Sequence, residues 1–220
     1  MAHNFPREFT YKGVSILPLV MALPLFILAC SEHWSYDEAI TYMNILDATP
    51  MEVIRYEKYR FANNHVLNSL YFLVLNKAGV TSLFVYRLPN FLAFFIYFWL
   101  ISKLLKEQVG YQLRHIDQLM LYLWPYAVYF AQGRGYAMAL VCMLGALVVL
   151  KRYLDEGKPP QLLGIVLLGG LSSLSIFSFI FPFAAMLIVA GLSRFRQVIK
   201  SPLQLLILVL ALPVAWYIFD

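Results

Sequence analysis

Two adjacent carboxylates, Asp37 and Glu38, stand just after the first long apolar run of the sequence. Ser35 lies three residues before Glu38, which is the spacing of a capping box, so the pattern predicts a helix start with its acidic residues at the positive end of the helix dipole. A carboxylate held at the mouth of a helix bundle can instead act as a general base on an acceptor hydroxyl, or coordinate a divalent cation such as Mg²⁺ or Mn²⁺. The residues alone leave the structural and the catalytic interpretations open.

A second polar cluster surrounds His65 at the start of an apolar helix. Helical spacing places Asn64 and Asn68 on one face of that helix and His65 on the adjoining face. A single histidine at a membrane interface is more often a solvated helix cap than a ligand contact. Several amides beside an imidazole favour a functional role, because polar groups inside a membrane need partners and often mark a substrate path. We therefore predict that Asn64, His65 and Asn68 bind substrate.

Two arginines are candidates for binding an anionic substrate. Arg87 lies near the outer end of an apolar run, where snorkelling of its side chain to the interface is an equally good explanation. Arg134 lies in the turn from Gln132 to Tyr136 with a glycine on each side. Glycines permit a tight turn and a close backbone approach, which suits binding of a lipid phosphate. Gln132, Arg134 and Tyr136 are therefore predicted to bind substrate together with Arg87.

The composition indicates what kind of protein positions these residues. Of 220 residues, 61% are hydrophobic and 13% are charged, against roughly a quarter charged in a soluble domain. Apolar runs of about 20 residues cross a membrane as helices. The net charge of +5 is spread over short clusters between these runs, which argues against a nucleic-acid surface. Cys30 and Cys142 have no metal-ligand spacing, so neither a disulfide framework nor a structural zinc is suggested.

The hydropathy pattern predicts an all-α polytopic membrane bundle with about seven crossings. The apolar runs lie at residues 14–30, 83–102, 118–131, 136–150, 161–176, 178–192 and 203–219. The positive-inside rule then places the N-terminus in the cytoplasm and the candidate site on the outer face. Residues 1–220 are predicted to form one transmembrane domain, in which residues 31–82 make an outer loop with interfacial helices separated near Pro50.

The segment from His65 to Lys77 is predicted to be a helix at the outer interface, or one half-buried in the membrane, because Asn68, Ser69 and Asn76 interrupt its apolar character. A full crossing by this segment would move every later loop to the other side of the membrane. The sequence leaves these alternatives open.

At these residues the sequence resembles the GT-C superfamily of integral-membrane glycosyltransferases, and most closely its bacterial dolichyl-phosphate-mannose-type members, with the aminoarabinose transferases as further relatives. The resemblance covers roughly residues 30–140 and rests on four fragments in the same order and with matching spacings. They are Asp37-Glu38, Asn64-His65, Arg87-Leu88-Pro89 and Arg134-Gly135-Tyr136. Where many relatives have prolines after the histidine, this chain has Val66-Leu67-Asn68, which implies a different acceptor.

The resemblance implies a donor sugar on a polyprenyl phosphate, membrane lipid around it, and an acceptor that approaches from the outer face of the bacterial inner membrane. Asp37 would deprotonate the acceptor hydroxyl, and Glu38 would orient Asp37 or the acceptor. Arg134, assisted by His65 or Arg87, would stabilise the departing phosphate. No cofactor is required beyond an optional divalent cation.

Two other functions remain open. A transporter or flippase for a lipid-linked sugar would use similar buried polar groups without breaking a bond. A noncatalytic membrane subunit is the other alternative, since relatives of this kind have more crossings and often a further outer domain. The resemblance therefore implies that residues 1–220 are the N-terminal part of a larger protein, or a chain completed by another subunit.

Overall fold

The computed structural model describes residues 10–11, 14–15, 17–55, 57, 65–109 and 127–219. Within these ranges the regular secondary structure is helical except for two paired strands of two residues each, β1 (Thr10–Tyr11) and β2 (Val14–Ser15), so the predicted all-α class is confirmed. The α-helices are α1 (Leu17–Ala29), α2 (Tyr36–Ile45), α3 (Pro50–Ile54), α4 (Val66–Lys77), α5 (Leu83–Val109), α6 (Tyr136–Glu156), α7 (Pro159–Ser175), α8 (Ile180–Ser193), α9 (Phe195–Lys200) and α10 (Pro202–Phe219). Two short 3₁₀ helices span Ala127–Phe130 and Phe177–Phe179.

Two helices are long and apolar enough to cross a membrane, over Leu83–Leu104 and Tyr136–Glu156. The apolar helices Pro18–Ala29, Pro159–Ser175, Phe177–Ser193 and Pro202–Ala211 are shorter. Every predicted apolar run coincides with a helix except residues 118–131, most of which lie outside the described residues. Helix α4 has 12 residues, a length of about 18 Å, which is shorter than the hydrocarbon core of a bilayer, about 30 Å.

Helix α6 lies at the centre of the helix packing. It packs against α5 on one side and α7 on the other, and α7 also contacts α4, α8 and α10. One apolar cluster joins α6, α7, α8 and α10 around Phe183 and Ile165, while a second joins α1, α5 and α6 around Phe94. The N-terminal end of α6, which carries Tyr136, is thereby held by helices from both halves of the chain.

The two helices of the loop after α1 start at capping boxes. In α2 the Ser35 backbone N–H donates to Oε2 of Glu38 at 2.8 Å, and Ser35 Oγ accepts from the Glu38 N–H at 3.4 Å. Thr49 and Glu52 repeat this arrangement in α3, where Pro50 is the first helical residue. The predicted capping box at Ser35 and the predicted separation of two helices at Pro50 are both confirmed.

Helices α2, α3 and α4 pack on the first turn of α5 through an aromatic cluster. The Trp34 ring stacks on Tyr42 with centroids 5.0 Å apart, and Phe72 meets Tyr86 edge to face at 4.9 Å. Pro89 has no N–H to donate to the carbonyl four residues earlier, that of Val85. Tyr71 on α4 donates its hydroxyl to this carbonyl at 2.6 Å. The proline of the Arg-Leu-Pro fragment therefore creates a docking point for α4.

Candidate functional site

A buried ion pair between Glu38 and Arg87 lies beneath the site. Arg87 Nε donates to Glu38 Oε1 at 2.9 Å and Nη2 donates to Oε2 at 2.8 Å, so the contact is bidentate. Glu38 is 0% exposed and Arg87 is 2% exposed. The Gly133 N–H also donates to Oε1 of this carboxylate, and the Ser35 N–H donates to Oε2. Both carboxylate oxygens of Glu38 are therefore fully engaged by groups of the chain itself.

The remaining donors of Arg87 bind the chain between α1 and α2. Its Nη1 donates to the carbonyl oxygens of Ala29 and Ser31 at 3.3 and 3.0 Å, and Nη2 donates to the carbonyl of His33 at 2.6 Å. Carbonyls at a helix C-terminus have no partner within the helix and interact favourably with a cation. Arg87 therefore caps α1 and holds the loop that leads to Asp37.

These contacts change the roles expected for two predicted residues. The hypothesis from the sequence assigned Glu38 to the orientation of Asp37 or the acceptor, and Arg87 to the substrate phosphate. In the structure every guanidinium nitrogen of Arg87 donates to the chain, and Glu38 is shielded from solvent. The geometry therefore supports a positioning role for both residues instead of contact with substrate.

Both backbone groups of Gly133 are held from opposite sides. Its N–H donates to Glu38, and its carbonyl accepts from Asn68 Nδ2 at 2.6 Å. A Cβ at this position would lie 2.5 Å from Cζ of Phe72 and 3.1 Å from Oε1 of Glu38, so only glycine fits without a shift of its neighbours. Asn68 therefore fixes the loop that carries Arg134, rather than pointing at a ligand.

Asn90 is a buried polar residue that the sequence-based hypothesis missed. It is 0% exposed in α5, and its Nδ2 lies 3.5 Å from Oδ1 of Asn68. The signal was available in the sequence, because Asn90 follows Arg87 by three residues and therefore lies on the same face of an apolar helix.

The second ion pair of the site joins Asp37 and Arg134. Oδ2 of Asp37 contacts Nη2 of Arg134, and the two side chains are 31% and 15% exposed. The guanidinium lies over the ring of Tyr136 at 4.9 Å and near that of Tyr129 at 5.7 Å, while the two rings stack at 4.5 Å. Aromatic faces attract cations in this range. The pair is therefore accessible from outside, yet its arginine is held in place by two rings.

His65 borders this ion pair on the side of α7. Its Nδ1 lies 3.0 Å from the carbonyl oxygen of Ser175 at the end of α7, and its ring meets Tyr136 edge to face at 4.9 Å. Burial lowers the pKa of His65 from 6.5 to about 4, and the charge of Arg134 acts in the same direction. The imidazole is therefore neutral at physiological pH, which differs from its expected part in stabilising the charge of the departing phosphate.

The close contact between the Arg134 loop and α7 depends on Gly135. A Cβ on this residue would lie 2.5 Å from the carbonyl oxygen of Ser175 and 3.0 Å from Cβ of His65. Ser175 contacts His65 through its backbone carbonyl, and a pattern of side chains in the sequence does not reveal such a contact.

Glu38 gives the folded chain a stability that depends on pH. Burial raises the pKa of this carboxyl, but hydrogen bonds from Arg87, Gly133 and Ser35 outweigh burial and hold the pKa below its ordinary value of 4.5. The stabilisation is thus fully present above the ordinary value and is lost as the pH falls through the lower folded value. Denaturant titrations at a series of pH values should show stability declining in that acidic range, with a shallower decline in Glu38→Gln. An equal decline in that variant would assign the acid sensitivity to other groups.

All predicted site residues except Asn64, which lies outside the described residues, lie around the two ion pairs. Gln132 is half-buried in the loop before Gly133. Among the described residues no group of three or more His, Cys, Asp or Glu side chains is placed to hold a metal ion.

No family model matches this chain, and neither a curated protein nor a solved structure matches it.

Proposed function

We propose that this chain is an integral-membrane glycosyltransferase of the mannosyltransferase-like type, which transfers a sugar from a polyprenyl-phosphate donor to an acceptor hydroxyl. The observation that carries this proposal is the accessible pair of Asp37 and Arg134, a carboxylate beside a guanidinium. The general base, Asp37, and the phosphate-binding cation, Arg134, come from segments far apart in the chain. The buried Glu38–Arg87 pair holds the helix that bears Asp37.

The reaction needs few chemical groups from the protein. The hydroxyl oxygen of the acceptor forms a bond to the anomeric carbon of the sugar, and Asp37 accepts the proton of that hydroxyl. The bond between that carbon and the phosphate oxygen breaks, and the electron pair leaves with the polyprenyl phosphate, so the anomeric configuration inverts. Arg134 stabilises the charge that grows on the phosphate. A phosphate is already a good leaving group, so no general acid is required.

In the chain without substrate, Arg134 is bound to Asp37. A lipid phosphate that enters the site competes for the same guanidinium and releases the carboxylate of Asp37 toward the acceptor. Tyr136 and Tyr129 keep Arg134 in position during this exchange. The arrangement therefore favours binding of the donor before activation of the acceptor.

The exposed apolar surfaces support a multi-pass arrangement, for which the hydropathy pattern of the sequence predicts about seven crossings. Beyond the two long apolar helices, the shorter ones expose large apolar side chains, including Ile27 at 65%, Phe181 at 66% and Leu192 at 71%. Exposed apolar surface on so many helices suits contact with lipid. Such surfaces support placement of this chain in a membrane, which we propose is the bacterial inner membrane.

The two ends of α6 support the proposed orientation in the membrane. Its first residue, Tyr136, lies in the site, whereas its last turns approach Arg194, whose Nη2 donates to the carbonyl of Asp155 at 2.9 Å. The basic residues of the 151–158 and 194–200 segments therefore lie at the end of α6 away from the site. Under the positive-inside rule that end is cytoplasmic, so the site faces outward and the N-terminus is cytoplasmic.

The proposed function is tested by transfer of a radiolabelled hexose from polyprenyl phosphate in membranes that contain residues 1–220. We expect label in an acceptor fraction above the level of membranes without the chain. Absence of transfer, with the protein verified in the membrane by immunoblot, would favour a noncatalytic subunit. Binding and translocation of the donor without transfer would instead favour a flippase.

Arg134→Gln should weaken binding of polyprenyl phosphate by about 10- to 100-fold, because hydrogen bonds to charged groups contribute about 1.5–3 kcal/mol. Arg134→Lys should fall between this variant and the wild type, since lysine keeps the charge but loses the planar fork. Arg152→Gln, an exposed position at the other end of α6, is the matched control. Titration of the purified chain in nanodiscs with polyprenyl phosphate measures all three. Equal affinities of Arg134→Gln and the control would exclude Arg134 as the phosphate ligand.

A further inference from the structure

The Nε2 atom of His65 has no hydrogen-bond partner among the residues that the structure describes. The residue is 6% exposed, so Nε2 is shielded from bulk solvent. The carbonyl of Ser175 can only accept a hydrogen bond, so the proton of the neutral ring lies on Nδ1 and a lone pair lies on Nε2. A buried acceptor that is left unpaired is costly to the folded state.

The ring of His65 is also adjacent to the proposed phosphate site. Tyr136 contacts the His65 ring at 4.9 Å and lies beneath the Arg134 guanidinium at 4.9 Å. Tyr136 thus contacts both the ring that bears the unpaired lone pair and the cation that would bind the donor phosphate. In a polyprenyl-phosphate sugar, the sugar is bonded directly to the phosphate, so it would lie close to His65 when Arg134 binds that phosphate.

We propose that Nε2 of His65 accepts a hydrogen bond from a hydroxyl group of the donor sugar, and that this contact selects a sugar-bearing lipid over the bare polyprenyl phosphate. This inference rests on the proposed function. Because Nε2 is shielded in the chain without substrate, the contact requires a local rearrangement around His65 when the donor binds. Ser175 acts as a positioning residue, since its carbonyl fixes the tautomer.

The chemistry of the lone pair sets the class of ligand. A ring nitrogen without a proton repels the oxygens of phosphate or carboxylate and accepts from a hydroxyl or an amine. Hydroxyl groups are the donors that a hexose offers. A site that holds an acceptor unpaired also rejects a ligand that lacks the matching donor, because the acceptor then stays unpaired.

Two substitutions separate the ligand contact from the structural one. In His65→Asn the amide nitrogen can occupy the place of Nδ1 and donate to the Ser175 carbonyl, but nothing replaces Nε2. In His65→Gln the longer amide can place its oxygen near the Nε2 position, while the contact with Ser175 is lost. The measurement is the affinity of each purified chain in nanodiscs for polyprenyl-phosphate mannose and for polyprenyl phosphate alone.

We expect wild type to bind the sugar-bearing lipid more tightly than the bare lipid, with this preference reduced about tenfold in His65→Asn and partly kept in His65→Gln. Affinity for the bare lipid is the reference in each variant, so the preference is the ratio of the two affinities and is independent of any general loss of binding. A wild-type preference that His65→Asn retains would overturn the inference and leave the proposed function intact. Wild type that binds neither lipid would overturn both.

The tautomer is tested without any ligand. In the ¹⁵N spectrum of histidine-labelled protein, the His65 resonances are those that disappear in His65→Asn. We expect a protonated Nδ1 and an unprotonated Nε2 at neutral pH. A proton on Nε2 would remove the hydrogen-bond acceptor and overturn the inference, regardless of the measured lipid affinities.

Discussion

Arg87→Met should lower the free energy of unfolding by about 3–5 kcal/mol, because removal of one partner leaves the buried carboxylate of Glu38 without its counter-ion. The substitution also leaves the carbonyls at the end of α1 without their donor. Denaturant titration of the purified chain in detergent micelles measures the change, and the amount of protein recovered from the membrane provides a second readout if the variant does not purify.

Arg55→Met is the matched control, since Arg55 forms an exposed ion pair with Glu57 at 3.6 Å. Exposed pairs contribute about 0–1 kcal/mol, so this variant should behave like the wild type. The double variant Glu38→Leu/Arg87→Met should lose less than the sum of the two single losses, because no charge then remains buried. Additive losses, or a control as unstable as Arg87→Met, would contradict the role of the buried pair.

Asp37→Asn should slow sugar transfer by about 10²- to 10⁴-fold, the range that general base catalysis supplies. The asparagine amide keeps the size of the side chain but cannot accept the proton of the acceptor hydroxyl. Stability should change little, because the ion pair of Asp37 with Arg134 is partly exposed and such pairs contribute at most about 1 kcal/mol. Initial rates of transfer with saturating donor, normalised to the protein in the membrane, measure the effect.

Glu32→Gln is the control for this activity prediction. Glu32 is an exposed carboxylate in the same loop, five residues before Asp37, and we expect its removal to leave the rate of transfer unchanged. Full activity in Asp37→Asn would remove this residue from the mechanism. Equal losses in both variants would point to a general effect of negative charge at the outer surface instead of a base.

The elements near the site were predictable because their signals are local. Ser35 and Glu38 lie within one helical turn, so the capping box that they form does not depend on the rest of the fold. Pro50 opens α3 for an equally local reason, since a proline fits the first position of a helix. The apolar runs likewise predict helices from their own composition. Most of the residues that meet at the site were predicted, but Asn90, Tyr129 and Ser175 were not.

The roles within the site depend on tertiary contacts, which a local pattern does not contain. Asp37 and Glu38 are neighbours, and a helix turns about 100° between neighbours, so only one of the two can point inward. The direction is set by Arg87, 49 residues away, and by the Gly133 loop. The tautomer of His65 is set by the Ser175 carbonyl, 110 residues later in the chain. Spacing in the sequence cannot encode such partners.

The partners of Arg87 also imply an order in which the chain assembles during synthesis. All its contacts lie within residues 28–38, so the capped α1 and the buried pair can form while the later helices are still within the ribosome. The contacts of Asp37 and His65 require residues that are made much later, Arg134 and Ser175. Domains form from the N-terminal end as they are synthesised. The nascent chain would therefore contain the Glu38–Arg87 pair before Gly133, Arg134 and Ser175 are made, so that the donor lipid cannot bind until these later residues are in place.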